Sequence, residues 1–178
     1  MKTGRRTLIA GAAVLVCLLS LCLVENLFVT FPSAEEAYKY SYNSTDVELV
    51  VQGSECDLIV DINEAEGNHR LHFVPKTAKG WKTGILSGVE YVVDLFYQDG
   101  VAISVIKYRF SEDYFVCVDM IRQGESVVFD SCGSEFFMVS MKKAGYENGQ
   151  LSYYAHIADI SSPYWVEVNG KRIDVISE

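Results

Sequence analysis

From Thr7 to Val24 the chain runs for 18 residues without a charge, and Leu, Val, Ala and Ile dominate the run. As a helix rising about 1.5 Å per residue it would be roughly 27 Å long, close to the ~30 Å hydrocarbon core of a bilayer. Glu25 and Asn26 interrupt it, and Leu27 to Phe31 suit the far interface. Lys2, Arg5 and Arg6 precede it, so the positive-inside rule keeps the N-terminus in the cytoplasm. A cleaved signal peptide has a shorter apolar region followed by an Ala-x-Ala-like site, and none follows here. Cleavage after Ser33 or Ala34 would place Phe31 or Pro32 at the −3 position, and a cut after Cys22 is a weak alternative. The expected organisation is therefore a cytoplasmic N-terminus over 1–6, a transmembrane signal-anchor over 7–31 and one extracytoplasmic domain over 32–178.

From Ser33 on, the chain carries 12 Lys/Arg against 23 Asp/Glu, a net −11. Such a surface repels nucleic acid and anionic wall polymers. Cys56, Cys117 and Cys132 fall in this part, an odd number without a C-x-x-C, which excludes a disulfide scaffold. A single bridge between Cys117 and Cys132 stays open, and three buried thiols acting as small hydrophobes are the simpler reading.

Ser33 with Glu36 forms a capping box and predicts a short helix from Ala34 to about Tyr40. Strand signals then take over in "VELVVQG", "CDLIVDI", "RLHFV", "VEYVVDLFY", "VAISVIKYRF", "DYFVCVDMI", "SVVFDS", "EFFMVS", "LSYYAHIADI" and "YWVEV". Asp99-Gly100 and Asn169-Gly170 each predict a two-residue type I′ hairpin. The fold class is α+β: a mostly antiparallel β domain, sandwich-like or two β-meanders, with one short N-terminal helix after a single transmembrane helix. The second form draws on a constant offset of 57 residues, which lays Ser54-Glu55 on Ser111-Glu112, Leu58 to Val60 on Phe115 to Cys117, and Gly67 on Gly124.

Chemistry is sparse. His69 and His72 are three apart in a strand and point opposite ways, which argues against a metal site and for exposed strand histidines. Asp57 and Asp61 share one face, as expected of a solvated strand face. No G-x-S-x-G, H-E-x-x-H, P-loop or EF-hand loop is present. A sortase-like use of Cys117 would need a histidine and Arg122 or Arg109 beside it, and "YFVCV" lacks the flanking threonines. No catalytic residue, metal ligand or cofactor is assigned. The candidate ligand-binding residues are aromatic: Trp81 in the loop-like "KGWKTG", and Tyr164 with Trp165 at the last hairpin. Pinning a loop to the core is the commoner role for a residue such as Trp81. Asn43 opens an N-S-T sequon, meaningful only where glycosylation machinery exists.

The apolar start, the "S-x-E-E-A-x-x-Y" helix at Ser33 to Tyr40, "VVQGSECDLIV", the "PK…GWK" loop at Pro75 to Lys82 and the closing "YWVEVNGKRI" together carry a resemblance. The chain resembles the small, uncharacterised single-anchor extracytoplasmic proteins of low-GC Gram-positive bacteria. The resemblance implies a cell-membrane location and a β-rich outer domain, and brings no activity, cofactor or site. Many such proteins carry a lipid-modified cysteine. Here Cys17 follows Val16 and Cys22 follows Leu21, so no good lipobox is formed. The expected function is a binding or accessory domain meeting a protein partner at the outer face of the membrane. The alternative is a glycan-binding module using the exposed aromatics.

Overall fold

The structure is a computed structural model that describes residues 2–42, 46–63, 68–83, 89–109, 111–120, 126–141, 150–160 and 163–176. Asn43, Gly67, Arg122 and Gly124 lie outside the described residues. Helix α1 spans Lys2–Phe28 and takes in the whole uncharged run. Among the described residues no helix is long and apolar enough to cross a membrane; the α1 side chains so described are those of 10–21, 24 and 28.

Helix α2 spans Ala34–Tyr42. Its N-terminus is closed as the capping box requires, the Glu36 N–H donating to Ser33 Oγ at 3.2 Å. Lys39 and Glu35 pair across one turn. The apolar side of this helix (Ala34, Ala37, Tyr38) is buried against the first sheet together with Ile59 and Val74.

Twelve strands follow among the described residues, all pairings antiparallel. The first sheet has the order β1-β2-β3-β4, from Val47–Gln52, Cys56–Asn63, Asn68–Thr77 and Gly80–Trp81. The second runs β5-β6-β7-β10-β9, from Val89–Gln98, Val101–Tyr108, Tyr114–Met120, Gln150–Ile157 and Phe137–Met141. The third is β12-β11-β8, from Lys171–Ile176, Tyr164–Val168 and Val128–Asp130.

Strand alternation turns these sheets into stacked layers. Leu58, Val60 and Phe73 of the first sheet meet Ile106, Phe115, Cys117 and Tyr154 of the second. The opposite face of the second sheet (Val101, Ile103, Val105, Val116, Val118, Tyr153) packs on Val166, Val168 and Ile173 of the third. The central sheet is thus covered on both faces, and α2 caps the outer face of the first. The mostly antiparallel β expectation is met, as three sheets in place of two meanders.

Both hairpin turns take the form their sequences dictate. Asp99 and Gly100 have φ of 54° and 81°, Asn169 and Gly170 51° and 79°, the left-handed pair of a type I′ turn. Strand β4 was not legible. Trp81 exchanges backbone bonds with Phe31 at 2.9 and 3.0 Å, which ties the end of the apolar segment to the domain. A Cβ on Gly80, whose φ is 128°, would stand 2.4 Å from the Phe31 carbonyl oxygen, so this contact demands glycine.

The 57-residue repeat survives in part. β1-β2 and β6-β7 are equivalent hairpins, and their turns touch: the Glu112 N–H donates to Glu55 Oε2 at 3.2 Å. The third strands diverge, β3 staying beside β2 while β8 leaves for the third sheet.

Candidate functional site

Asp57 and Asp61 correct the solvated-face expectation, for they are 2% and 0% exposed beneath α2. Asp57 accepts from the Trp81 indole N–H at 2.6 Å and pairs with Lys76 at 2.7 Å. Asp61 accepts from Tyr38 Oη at 2.7 Å and pairs with Arg70. A buried carboxylate is tolerable only with such donors. The histidines do face opposite ways, His72 against the rings of Tyr38 and Tyr42, His69 toward Tyr154. Both are half-buried, which corrects the expectation of exposed rings.

The three aromatic candidates are not brought together. Trp81 is half-buried, its indole nitrogen taken by Asp57 and Lys76 Nζ 6.0 Å from the ring. This is the pinning role. Tyr164 is fully buried and donates to Asp130 Oδ2 at 3.0 Å, so it is a core residue with no ring face left for a ligand. Trp165 alternates to the other face of β11, half-buried, with the Arg172 guanidinium 4.9 Å over its ring.

The cysteines are all free thiols at the four described positions. Cys56 and Cys117 are buried as expected, and Cys132 is exposed, contrary to the three-thiol reading. Burial pushes the Cys56 thiol up to about 12, with Asp113 and Asp57 adding to the shift. Cys117 is raised further by its complete burial and by Asp119. A thiol so raised carries almost no thiolate at neutral pH and is a poor nucleophile. Among the described residues no group of three His, Cys, Asp or Glu side chains could hold a metal ion.

What stands out is where the two stacked sheets part. There a cavity of about 390 Å³ opens between β3 and the second sheet. Its floor follows two cross-strand rows of the second sheet. Ser104, Cys117 and Tyr154 form one; Asp119 and Ser152 belong to the next. These positions face inward by the same alternation that places Phe115 and Ile106 in the core, yet they carry polar groups. Ser152 Oγ donates to Asp119 Oδ1 at 2.5 Å. His69 Nδ1 shares a hydrogen bond with the Tyr154 hydroxyl, and Nε2 is buried without a partner among the described residues. Burial lowers the His69 pKa, against the raising influence of Asp119 and Glu48, and keeps the ring neutral. Strand β5 supplies the outer wall with Tyr91, Asp94 and Leu95.

That wall is itself unusual. β5 is an edge strand, with register shifts between Tyr91 and Val93 and between Val93 and Phe96. Val93 and Phe96 turn into the core, while Val89, Tyr91, Val92, Leu95 and Tyr97 are exposed. A strand period of two does not account for this row. The polar inner face and the apolar edge both went unread in sequence, because "VEYVVDLFY" reads equally well as a two-sided buried strand. No family model matches the chain, and neither a curated protein nor a solved structure does so.

Proposed function

We propose that the chain is a membrane-anchored binding domain on the outer side of the membrane, which meets a protein partner along β5 by strand addition. The observation that carries this reading is the edge strand with Tyr91, Leu95 and Tyr97 at 58%, 62% and 64% exposure. An edge offers unpaired backbone donors and acceptors, and a long apolar one invites pairing. The uncharged run inside α1, with three basic residues ahead of it, supports the anchor. The Phe31–Trp81 pairing then holds the domain close to the end of that helix. The glycan alternative has less support, because Trp81 and Trp165 each have a cation beside the ring and Tyr164 is core.

Intact mass of the protein in membrane and medium fractions of its own cells tests the anchor; a lighter product in the medium defeats it. A photo-crosslinking residue at Tyr97 tests the edge. A discrete protein adduct at Tyr97, lost with Leu95→Lys, is expected. Adducts that survive Leu95→Lys unchanged would remove β5 as the docking strand.

A further inference from the structure

Four inward-facing carboxylates of the domain are closed by donors. Asp57 has Lys76 and Trp81, Asp61 has Tyr38 and Arg70, and Asp130 has Tyr164 and two backbone N–H groups. Asp113 has three backbone N–H groups and His156. All four are at most 6% exposed. Asp119 differs: it is half-buried, takes the Ser152 hydroxyl, and among the described residues no Lys or Arg pairs with it. It lies on the inner face of a sandwich, where alternation calls for an apolar side chain, and it borders the cavity. Polar groups kept at core positions against the local pattern mark places where function has overridden packing.

The chemistry of the lining narrows the occupant. Among the described residues Asp94 and Asp119 are its charged groups, and no Lys or Arg lines it. Tyr91 adds an exposed aromatic ring at the wall, and Leu71 and Leu95 add apolar carbon. Carboxylates beside aromatic faces favour a cation with an organic skeleton, since the rings attract positive charge and cover apolar carbon. The volume lies at the lower end for small-molecule sites, about 300–1,000 Å³. An anion would meet two carboxylates, and a bare metal ion would lack a third ligand among the described residues.

We propose that this cavity binds a small organic cation, a primary ammonium or guanidinium compound of amino-acid to monosaccharide size, with its charge toward Asp119 and its skeleton against Tyr91. The site shares Tyr91 and Leu95 with the β5 edge, but its occupant is a free molecule, not a side chain of the partner.

The test is calorimetric titration of the full chain in detergent micelles with agmatine and with glucosamine. N-acetylglucosamine and glucuronate serve as the uncharged and anionic counterparts. At least one of the two cations should bind, and its counterparts should bind at least about tenfold more weakly. Asp119→Asn should weaken the cation at least about tenfold, and the exposed Asp94→Asn by a smaller factor. Asp94 sits at the rim, so its variant keeps the test decisive if Asp119→Asn fails to fold. Equal binding of N-acetylglucosamine, no binding of either cation at about 10 mM, or cation binding indifferent to both substitutions would each overturn the proposal. Crosslinking at Tyr97 is read separately, so loss of one result leaves the other standing.

Discussion

His156 Nε2 lies 2.8 Å from Asp113 Oδ1, joining β10 to the turn of the β6–β7 hairpin. Asp113 also accepts the backbone N–H groups of Ser54, Glu55 and Cys56, so one carboxylate closes the β1–β2 turn from across the sandwich. Burial alone would raise its pKa. The N–H groups of Glu55, Cys56 and Ser54, with His156, outweigh burial and hold it below its ordinary value of 3.8.

A depressed carboxyl pKa contributes stability above the unfolded value, and that contribution is lost as pH falls through the folded one. Asp113→Asn should therefore be less stable than the parent by about 1–3 kcal/mol near pH 6. The gap should close as the pH drops below about 4, where the parent loses its ionised partner. Urea melts of both proteins at several pH values check this, and a constant gap would contradict it.

Gly53 approaches the same carboxylate. A Cβ there would meet the Cys56 carbonyl oxygen at 2.4 Å and Asp113 Oδ2 at 2.8 Å. Gly53→Ala should cost about 1–3 kcal/mol through overpacking. Because it disturbs the turn that Asp113 closes, the double substitution Gly53→Ala with Asp113→Asn should cost less than the two effects added together. A double-mutant cycle measures the difference, and strict additivity would separate the two sites.

Tyr38 binds α2 to the first sheet through Asp61. Asp61 Oδ1 already lacks a partner among the described residues, so Oδ2 carries the interaction with Tyr38 and Arg70. Tyr38→Phe should cost about 1–3 kcal/mol while leaving the sheets folded. Far-ultraviolet dichroism should keep its strand signal as the denaturation midpoint falls.

The cysteines should label in a fixed order. In a background with Cys17 and Cys22 replaced by Ser, iodoacetamide at neutral pH should modify Cys132 first. Cys132 is exposed, whereas Cys56 and Cys117 are buried with raised pKa values. Cys117 should react far more slowly, because its raised pKa leaves almost no thiolate at neutral pH. Peptide mass mapping over time gives the order, and early modification of Cys117 would refute its burial.

Local chemistry was legible wherever a single stretch held all the information. Ser33 and Glu36 announced α2, and Asp99-Gly100 and Asn169-Gly170 announced their turns. Each β segment read from its apolar and β-branched residues matches an observed strand to within a few residues. The sequence by itself determined these elements, because caps, left-handed turns and strand alternation depend on neighbours in the chain. Tertiary structure alone decided that Asp57 and Asp61 are buried, that Tyr164 is core, and that Trp81 pairs with Phe31. It also decided that the inward positions Ser104, Cys117 and Asp119 line a cavity. The partners in those cases lie tens of residues away: Tyr38 stands 23 positions from Asp61, and Tyr154 stands 85 from His69. Which sheet covers which face is set by long-range packing, and alternation alone cannot distinguish a face against water from one against another sheet.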